Sequence, residues 1–499
     1  MWTDCSRELQ RRSLAQRERW SRFVKKLFQT VGVLTGQDRK SHILHEVTVP
    51  DGCSSLDIEF AFSPAIVAGV QNMITLTLFD GQGFRGARHR HGSRHVVHIA
   101  TDGATPGYLA GPIGPGTWKV EIDTHMVMDG EPCSYSIDVD ADGVEFDADV
   151  VNYDAAVVDG VQFAARVQSL ARGRKSGSAW YRGDLHSHTV HSDAQWTLAA
   201  LLESAHALKL DFLAVTDHNT VSVWRQIVTL DDEARHGLII IPGIELTTFW
   251  GHALCLGATD WVDWRARNDD QSMADVAREV MERGDTFIIA HPMAPGDPEC
   301  TGCRWLYPAV LPGPARIVEV WNGPWTGDSN NEEALATWYG WLGEGLRISA
   351  TAGSDAHRPT DHTRGPGFSV VWADGPDAAS ILSAVQRGKL YLSSGPALRI
   401  GAIAPDGRRV TSGDEVAMDG AGMEVQFELE RAPEGSTLRL IGDGSVAAEA
   451  VASGSQSQKI RLAVPPSVRK FIVAELRASD GELLALTNAI YLTHRGYDE

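Results

Sequence analysis

The sequence predicts a multidomain chain in which a central α/β domain is flanked on each side by a β-sandwich-like domain. Three observations predict it. At 499 residues the chain exceeds what one hydrophobic core ordinarily serves, so two or three domains are expected. Two stretches, from about residue 42 to 167 and beyond Pro396, consist of short segments that alternate apolar and polar residues between Gly, Pro and Asp, the period-two pattern of half-buried strands. Between them, short apolar runs alternate with helical stretches, as in β/α units around a parallel sheet or barrel.

The elements follow in order. Ser6 to Gln29 reads as a basic helix with Leu9, Leu14, Trp20, Phe23 and Leu27 roughly along one side. Glu8 and Glu18 set it apart from a transit peptide, so residues 1–40 are expected to be a helical segment packed on its own protein. Residues 41–175 hold strands such as Ser55 to Phe60, Ile74 to Leu78 and Thr117 to Ile122, which suggest a sandwich. His89, His91, His95 and His98 lie in this region, but no acidic residue joins their spacing. They are read as polar positions on a strand pair. Ala171 to Ser178 is a polar, Gly/Ser-rich linker.

The central domain, residues 176–395, carries apolar runs at Phe212 to Val215, Leu238 to Ile241, Phe287 to Ala290, Ile317 to Trp321 and Ile348 to Ala350. Leu198, Leu201, Leu202, Ala205 and Leu208 form one helical stripe, and Ile381, Leu382 and Val385 belong to another. From 396 to 499 the alternation returns, in Met423 to Leu429, Leu438 to Ile441 and Phe471 to Leu476, and predicts a second small sandwich.

Composition sets outer limits. An apolar fraction of 43% and a charged fraction of 22% are those of a soluble globular protein. No run approaches the ~20 apolar residues of a membrane span, and the start lacks the apolar core of a secretory signal. A net charge of −20 argues against coating a polyanion, which needs Lys and Arg opposite phosphates. A small phosphorylated substrate stays open, because bound metal would supply local positive charge. Six scattered cysteines do not form a disulfide framework, and a cytoplasmic setting is expected. The lone C-x-x-C at Cys300 and Cys303 is read as two surface-loop thiols.

The chemistry concentrates in Gly183-Asp184-Leu185-His186-Ser187-His188-Thr189-Val190-His191-Ser192-Asp193. In an extended segment residues i and i+2 point to the same side, so His186 and His188 can hold one ion. Further candidates stand just behind the apolar runs: Asp217 and His218, Glu245, His291, Glu319 and Asn322, Asp355 and His357. In β/α barrels that is where functional side chains gather. A lone His or Asp in such a place is most often a cap or a satisfied polar group. Five groups in register behind five runs point instead to a metal site, and nitrogen and oxygen ligands without cysteine suit Zn²⁺, Mn²⁺ or Fe²⁺.

The series H-x-H-x-x-x-x-S-D, T-D-H-N, G-I-E, G-H, A-H-P and G-S-D-A-H, in this order over roughly residues 180 to 395, resembles the polymerase and histidinol phosphatase (PHP) superfamily. The A-H-P, V-E-V-W-N and G-S-D-A-H segments, with the C-terminal Leu486-Thr487-Asn488-Ala489-Ile490-Tyr491, are most similar to its CehA/McbA branch. The resemblance implies a distorted (β/α)7 barrel holding two or three divalent ions. It implies that His186, His188, Glu245 and Asp355 bind the first ion and that Glu245 bridges to a second, held by His252 and His291. Asp193, His218 and His357 would hold the third. Ala194 stands where the family has glycine after the aspartate, a departure that touches the loop more than the coordination.

Such ions lower the pKa of a bridging water to give hydroxide at neutral pH and stabilise the charge that develops. Asp217 is a candidate proton acceptor or orienting group beside His218, and His252 a candidate for substrate contact as well as for metal. The superfamily mostly cleaves phosphoesters, for which Arg304, Arg358, His362 and Arg364 are candidate anchors in loops after the strands. The CehA/McbA branch is named for carbamate hydrolysis, for which Trp250, Trp305, Trp321, Trp325 and Trp338 offer an aromatic pocket. The reading is a small-molecule phosphoesterase, with carbamate or aryl ester hydrolysis as the alternative and trimming of oligonucleotide ends disfavoured by charge. A scaffold without catalysis would lack ligands, and none is missing. The flanking β-domains are expected to shield the barrel or make homo-oligomer contacts, and no membrane association is expected.

Overall fold

A computed structural model describes residues 25–142, 151–152, 160–173, 177–266, 270–307, 315–418 and 422–494. The chain forms two compact units, residues 1–158 and 159–499.

The first unit is a β-sandwich. One sheet has the order 25–34, 133–141, 55–63, 94–100, 103–104, 151–152, and the other 42–49, 116–126, 73–80, 83–88. The alternation seen in the sequence is what closes it. Leu56, Ile58 and Phe60 from one sheet and Leu76, Leu78, Val120 and Ile122 from the other are buried in a single core. The helix read from Ser6 to Gln29 is corrected from Lys25 onward: Lys25–Leu34 is a strand antiparallel to Cys133–Ala141. Thr30, Val31 and Val33 are β-branched, and a long ladder on a sheet edge outweighs the local helical spacing. Residues 6–24 of that reading lie outside the described residues.

The second unit opens with a helix, Gly160–Leu170, where the sequence reading continued the sandwich. Residues 174–176 of the expected linker lie outside the described residues. The first part of this unit is one curled sheet in the order 349–353, 317–322, 286–289, 251–256, 239–248, 212–215, 179–184, 368–373. Helices follow most of these strands. Thr197 caps Leu198–Ala207 by accepting from the Ala200 amide, and Asp377 caps Ala378–Gln386 by accepting from the Ser380 amide. Most of the predicted stripes are buried faces, Leu198, Leu201, Leu202 and Ala205 on one helix and Ile381, Leu382 and Val385 on the other, while Leu208 is the half-buried C-cap of the first.

Two features depart from regular β/α alternation. Ile239–Thr248 turns back on itself through Phe249 and Trp250 into the antiparallel strand Gly251–Leu256. Phe368–Ala373 also runs antiparallel to its neighbour, Ala179–Asp184. At the open side no ladder joins 349–353 to 368–373 among the described residues. Instead the Ser369 hydroxyl accepts from the Ala352 amide at 3.0 Å and donates to the Ala352 carbonyl at 2.9 Å.

The sheet then continues into the C-terminal strands, because Leu390–Ser393 pairs with Leu483–Thr487. Together with the sheet 409–411, 397–403, 423–430, 457–464 these strands enclose a core that includes Leu398, Phe427, Leu438 and Leu476. Among the described residues no helix is long and apolar enough to cross a membrane.

Candidate metal centre

The ends of six strands and their loops bring nine ligand-type residues together, with the carboxylate of Glu245 at their centre. Ala179–Asp184 delivers His186 and His188, Ile239–Thr248 contains Glu245, and the hairpin return carries His252. His291 follows Thr286–Ile289, while Asp355 and His357 follow Ser349–Gly353. Asp193 and His218 come from the loops after Ala179–Asp184 and Phe212–Val215.

Glu245 is fully buried and stands at the hub. Its Oε2 lies 3.0 Å from His186 Nε2 and 3.1 Å from both His188 Nε2 and His218 Nδ1. Its Oε1 lies 3.0 Å from His252 Nδ1 and 3.0 Å from His291 Nε2. Asp355 Oδ1 adds contacts of 2.9 Å to His188 Nε2 and 3.3 Å to His186 Nε2. On the more exposed side, Asp193 Oδ1 lies 3.2 Å from His357 Nε2 and 3.6 Å from His218 Nε2.

The residues that the resemblance assigns to ions thus lie close together, with Glu245 in contact with His186 and His188 on one oxygen and with His252 and His291 on the other. The sets His186, His188, Glu245, Asp355 and His188, Asp193, His218, His357 each keep their ligand atoms within 4.8 Å of one another.

The chemistry of the donor set fits divalent ions. His186 Nδ1 donates to Glu319, at 3.1 Å from Oε1 and 3.2 Å from Oε2, which leaves the Nε2 lone pair facing Glu245 and Asp355. His357 Nδ1 donates to the Asp355 carbonyl at 2.8 Å, which aims its Nε2 lone pair at Asp193. Lone pairs meeting carboxylate oxygens repel unless a cation or proton lies between them. Asp355 Oδ1 and Asp193 Oδ1 are buried without a hydrogen bond of acceptable geometry. Two of the candidate ligands also hold the sparsely populated left-handed backbone, His291 at φ 26° and Asp355 at φ 49°, as residues at functional sites do.

Charge follows the same geometry. Burial alone would raise the Glu245 carboxyl, but the His218 and His186 imidazoles outweigh it and hold it well below the usual range. Burial likewise opposes ionisation of Asp193, and His357 and His218 reverse the sign. In return His186 is raised well above an ordinary imidazole, against its burial, by Asp355, Glu319 and Glu245. Despite burial, Asp193 lifts His357 to about 10. His252 differs, since burial keeps it lowered.

The other candidates sit apart from these ligand atoms. Asp217 is fully buried and accepts from the Thr189 amide at 2.8 Å and from the Thr189 and Ser192 hydroxyls at 2.7 Å each. It therefore braces the loop that carries Asp193. Arg304 pairs with Glu333 at 2.9 Å, Arg358 with Asp361 at 3.1 Å, and Arg364 is exposed. His362 is buried, with Nδ1 2.8 Å from the Ser204 hydroxyl. Trp321, Trp325 and Trp338 are core residues, whereas Trp250 and Trp305 are half-buried beside the hairpin of His252.

Cys300 and Cys303 are disulfide-bonded, which corrects the reading of two free thiols. Their Cα atoms stand 5.5 Å apart, within the reach of a disulfide. In the first unit, His95 stacks on Phe60 and His98 donates to Asp57 at 2.7 Å. A cross-strand partner of this kind leaves no mark in local spacing.

The sequence reading counted Glu319 among the candidate ligands behind the runs, with no assigned part in the ion sites, and gave no role to Thr247 or Asp184. Thr247 Oγ1 lies 2.5 Å from His218 Nδ1. Asp184 accepts from the His186 amide at 3.1 Å and the Ser354 amide at 2.9 Å, joining the two ligand-bearing segments.

No family model matches the chain. The 5'-3' exoribonuclease Rnm of Escherichia coli (strain K12) is 41% identical over 70 residues, 13% of this chain and 23% of the exoribonuclease. An uncharacterized protein of Methanocaldococcus jannaschii is 36% identical over 73 residues, 13% of this chain and 34% of that protein. The chain thus matches about a quarter to a third of the length of these curated relatives. Among solved structures, a two-domain Bacteroides vulgatus protein containing a predicted PHP-like metal-dependent phosphoesterase is similar at TM-score 0.36 and 17% identity, over 63% of this chain and 96% of that one. A Bifidobacterium adolescentis protein, named as a candidate metal-dependent phosphoesterase, is similar at TM-score 0.25 and 18% identity, over 36% of this chain and 88% of that one.

Proposed function

We propose that the chain is a metal-dependent hydrolase of the PHP superfamily acting on a small phosphate ester. The observation that carries this reading is Glu245, a buried carboxylate within 3.1 Å of five imidazoles. Divalent ions held by such a set supply an acidified water as nucleophile and positive charge opposite the scissile group.

The chain's own residues prepare that chemistry. Glu319 and the Asp355 carbonyl fix the tautomers of His186 and His357. Asp217 holds the Thr189–Ser192 loop, which keeps Asp193 toward His357. The half-exposed side of the centre, at Asp193, Asp355 and His357, is where substrate enters.

Four carboxylates face this centre, Asp193, Glu245, Glu319 and Asp355. Three divalent ions would exceed them in charge, and that surplus suits an anionic ester over a neutral one. Arg304, whose guanidinium lies 3.8 Å from the sulfur of Met293, two residues past His291, is a candidate anchor that would have to leave Glu333 to add to it. The same proposal takes the curled sheet, drawn together at Ser369, as the distorted (β/α)7 barrel of that superfamily.

A carbamate or aryl ester is the second reading, favoured by Trp250 and Trp305 beside His252. The short likeness to an exoribonuclease makes an oligonucleotide end the third. The deciding experiment supplies Mn²⁺, Zn²⁺ and Fe²⁺ in parallel to metal-stripped protein. Turnover is then measured on p-nitrophenyl phosphate, bis-p-nitrophenyl phosphate and a 1-naphthyl carbamate, with His186→Ala as control. Phosphate ester turnover that vanishes in the variant is expected. Carbamate turnover without phosphatase activity would replace the first reading with the second.

A further inference from the structure

We propose that Glu319 is the positioning residue that ties the ligands of the first two ion sites into one unit. It resides on the strand Ile317–Asn322, between the strands that deliver His291 and Asp355. Its side chain is 1% exposed, and both oxygens are already filled by N–H donors. His186 Nδ1 lies 3.1 Å from Oε1, while Oε2 accepts from the His291 backbone amide at 3.1 Å and from Asn322 Nδ2 at 3.0 Å. The carboxylate is therefore not itself a ligand.

It does two things at once. By accepting from Nδ1 it fixes the tautomer in which His186 Nε2 presents a lone pair to the first site. By accepting from the His291 amide it holds that residue at φ 26°, a conformation that survives only where its surroundings over-determine it. Asn322 extends the same link to Asp355, with Nδ2 3.3 Å from Oδ2. Position 353 keeps room for the arrangement, because a Cβ on Gly353 would come within 2.6 Å of Glu319 Oε1 and 2.4 Å of His186 Cβ.

The assignment rests on the metal-centre reading but not on the choice of substrate. The test uses the full chain carrying Glu319→Gln, stripped of metal and titrated with Mn²⁺ and with Zn²⁺ against a competing chelator. Gln keeps the size but places an N–H where one of three donors points. The His186 and His291 sites are expected to lose about 10–100-fold in affinity. The Asp193, His218 and His357 site, which Glu319 does not touch, is expected to bind as before. Unchanged affinity at every site would overturn the assignment, and so would an equal loss at all three.

A second measurement needs no variant at position 319. In the ¹⁵N-histidine spectrum of the metal-free protein, His186 is expected to show a hydrogen-bonded Nδ1 proton that is missing in His186→Asn. A His186 protonated only at Nε2 would refute the proposal even if Glu319→Gln fails to fold. Weakened metal binding in a protein whose parent hydrolyses no ester would leave Glu319 its role and remove the hydrolase reading instead.

Discussion

Five imidazoles converge on Glu245, and their protonation decides how tightly the centre takes up metal. His186, His188 and His291 are raised above an ordinary imidazole, and His357 is raised to about 10. For each, burial opposes the charge and the neighbouring carboxylates outweigh it. Metal-free protein therefore carries protons here at neutral pH, and a ligand nitrogen must lose its proton to bind. Loading is expected to release protons, and affinity to fall as pH falls. Titration of Mn²⁺ by calorimetry in two buffers of different ionisation enthalpy checks this, since equal heats would mean no release.

At this scale the sequence was legible where spacing carries chemistry. The H-x-H pair and, of the residues behind the apolar runs, His218 and His291 meet at Glu245, whereas Asp217 braces a loop instead. Glu319 was legible as a candidate ligand but not as a partner of His186, because that contact joins residues 133 positions apart. The anchors Arg304 and Arg358 could be placed in loops, but not paired with Glu333 and Asp361.

Strands, more than helices, decide where the site residues point. Ser349–Gly353 can approach His186 because position 353 has no side chain. Gly353→Ala would press a methyl group against the His186 Cβ and a Glu319 oxygen. It is expected to cost about 1–3 kcal/mol by overpacking and to weaken the first ion site more than the third, as read by metal titration and thermal unfolding. A variant with parental metal affinity would show that the strand yields easily.

In the sandwich, burial lowers His95 to about 4, with Arg88 and Arg90 pushing the same way against the Gly92 carbonyl. A depressed imidazole contributes stability that is complete above its unfolded value of about 6.5 and is lost as pH falls toward about 4. The loss is roughly 3 kcal/mol over that window. His95→Gln should flatten that part of the urea-unfolding profile between pH 6.5 and 4.5. Parallel profiles for the two proteins would rule His95 out as the cause.

The same scale shows why one element was misread. Phe23 and Leu27 have helical spacing, yet from Lys25 the chain meets a free sheet edge, and only the partner strand Cys133–Ala141 reveals it.

At the scale of the whole molecule, the C-terminal strands are part of what holds the metal centre in place. Their alternation was legible. Their merger with the sheet that carries the candidate metal centre was not, because the pairing of Leu390–Ser393 with Leu483–Thr487 joins segments about ninety residues apart. Two contacts carry the coupling. Asn488 Oδ1 accepts from the Ala350 amide at 2.7 Å, and its Nδ2 donates to the Ala350 carbonyl at 2.9 Å, so one side chain satisfies the edge of the strand that leads to Asp355. Arg477 pairs with Glu332 and with Glu475, and Glu475 accepts from the Tyr339 hydroxyl at 2.7 Å. That network clamps the helix Asn331–Gly343, whose first residue accepts from the Asn322 amide at 3.0 Å.

Asn488→Ala strands a buried N–H and C=O on Ala350, at a cost of about 1–3 kcal/mol for each unsatisfied group. Because one sheet spans both parts, residues 177–494 are expected to unfold in a single transition that this substitution shifts downward. Calorimetry of the variant with and without Mn²⁺ reads the coupling: metal binds only the folded centre, so it should raise that same transition. If the C-terminal strands melted first and left a metal-stabilised transition unmoved by Asn488→Ala, they would be an appendage, and the two contact chains would be packing without consequence for the site.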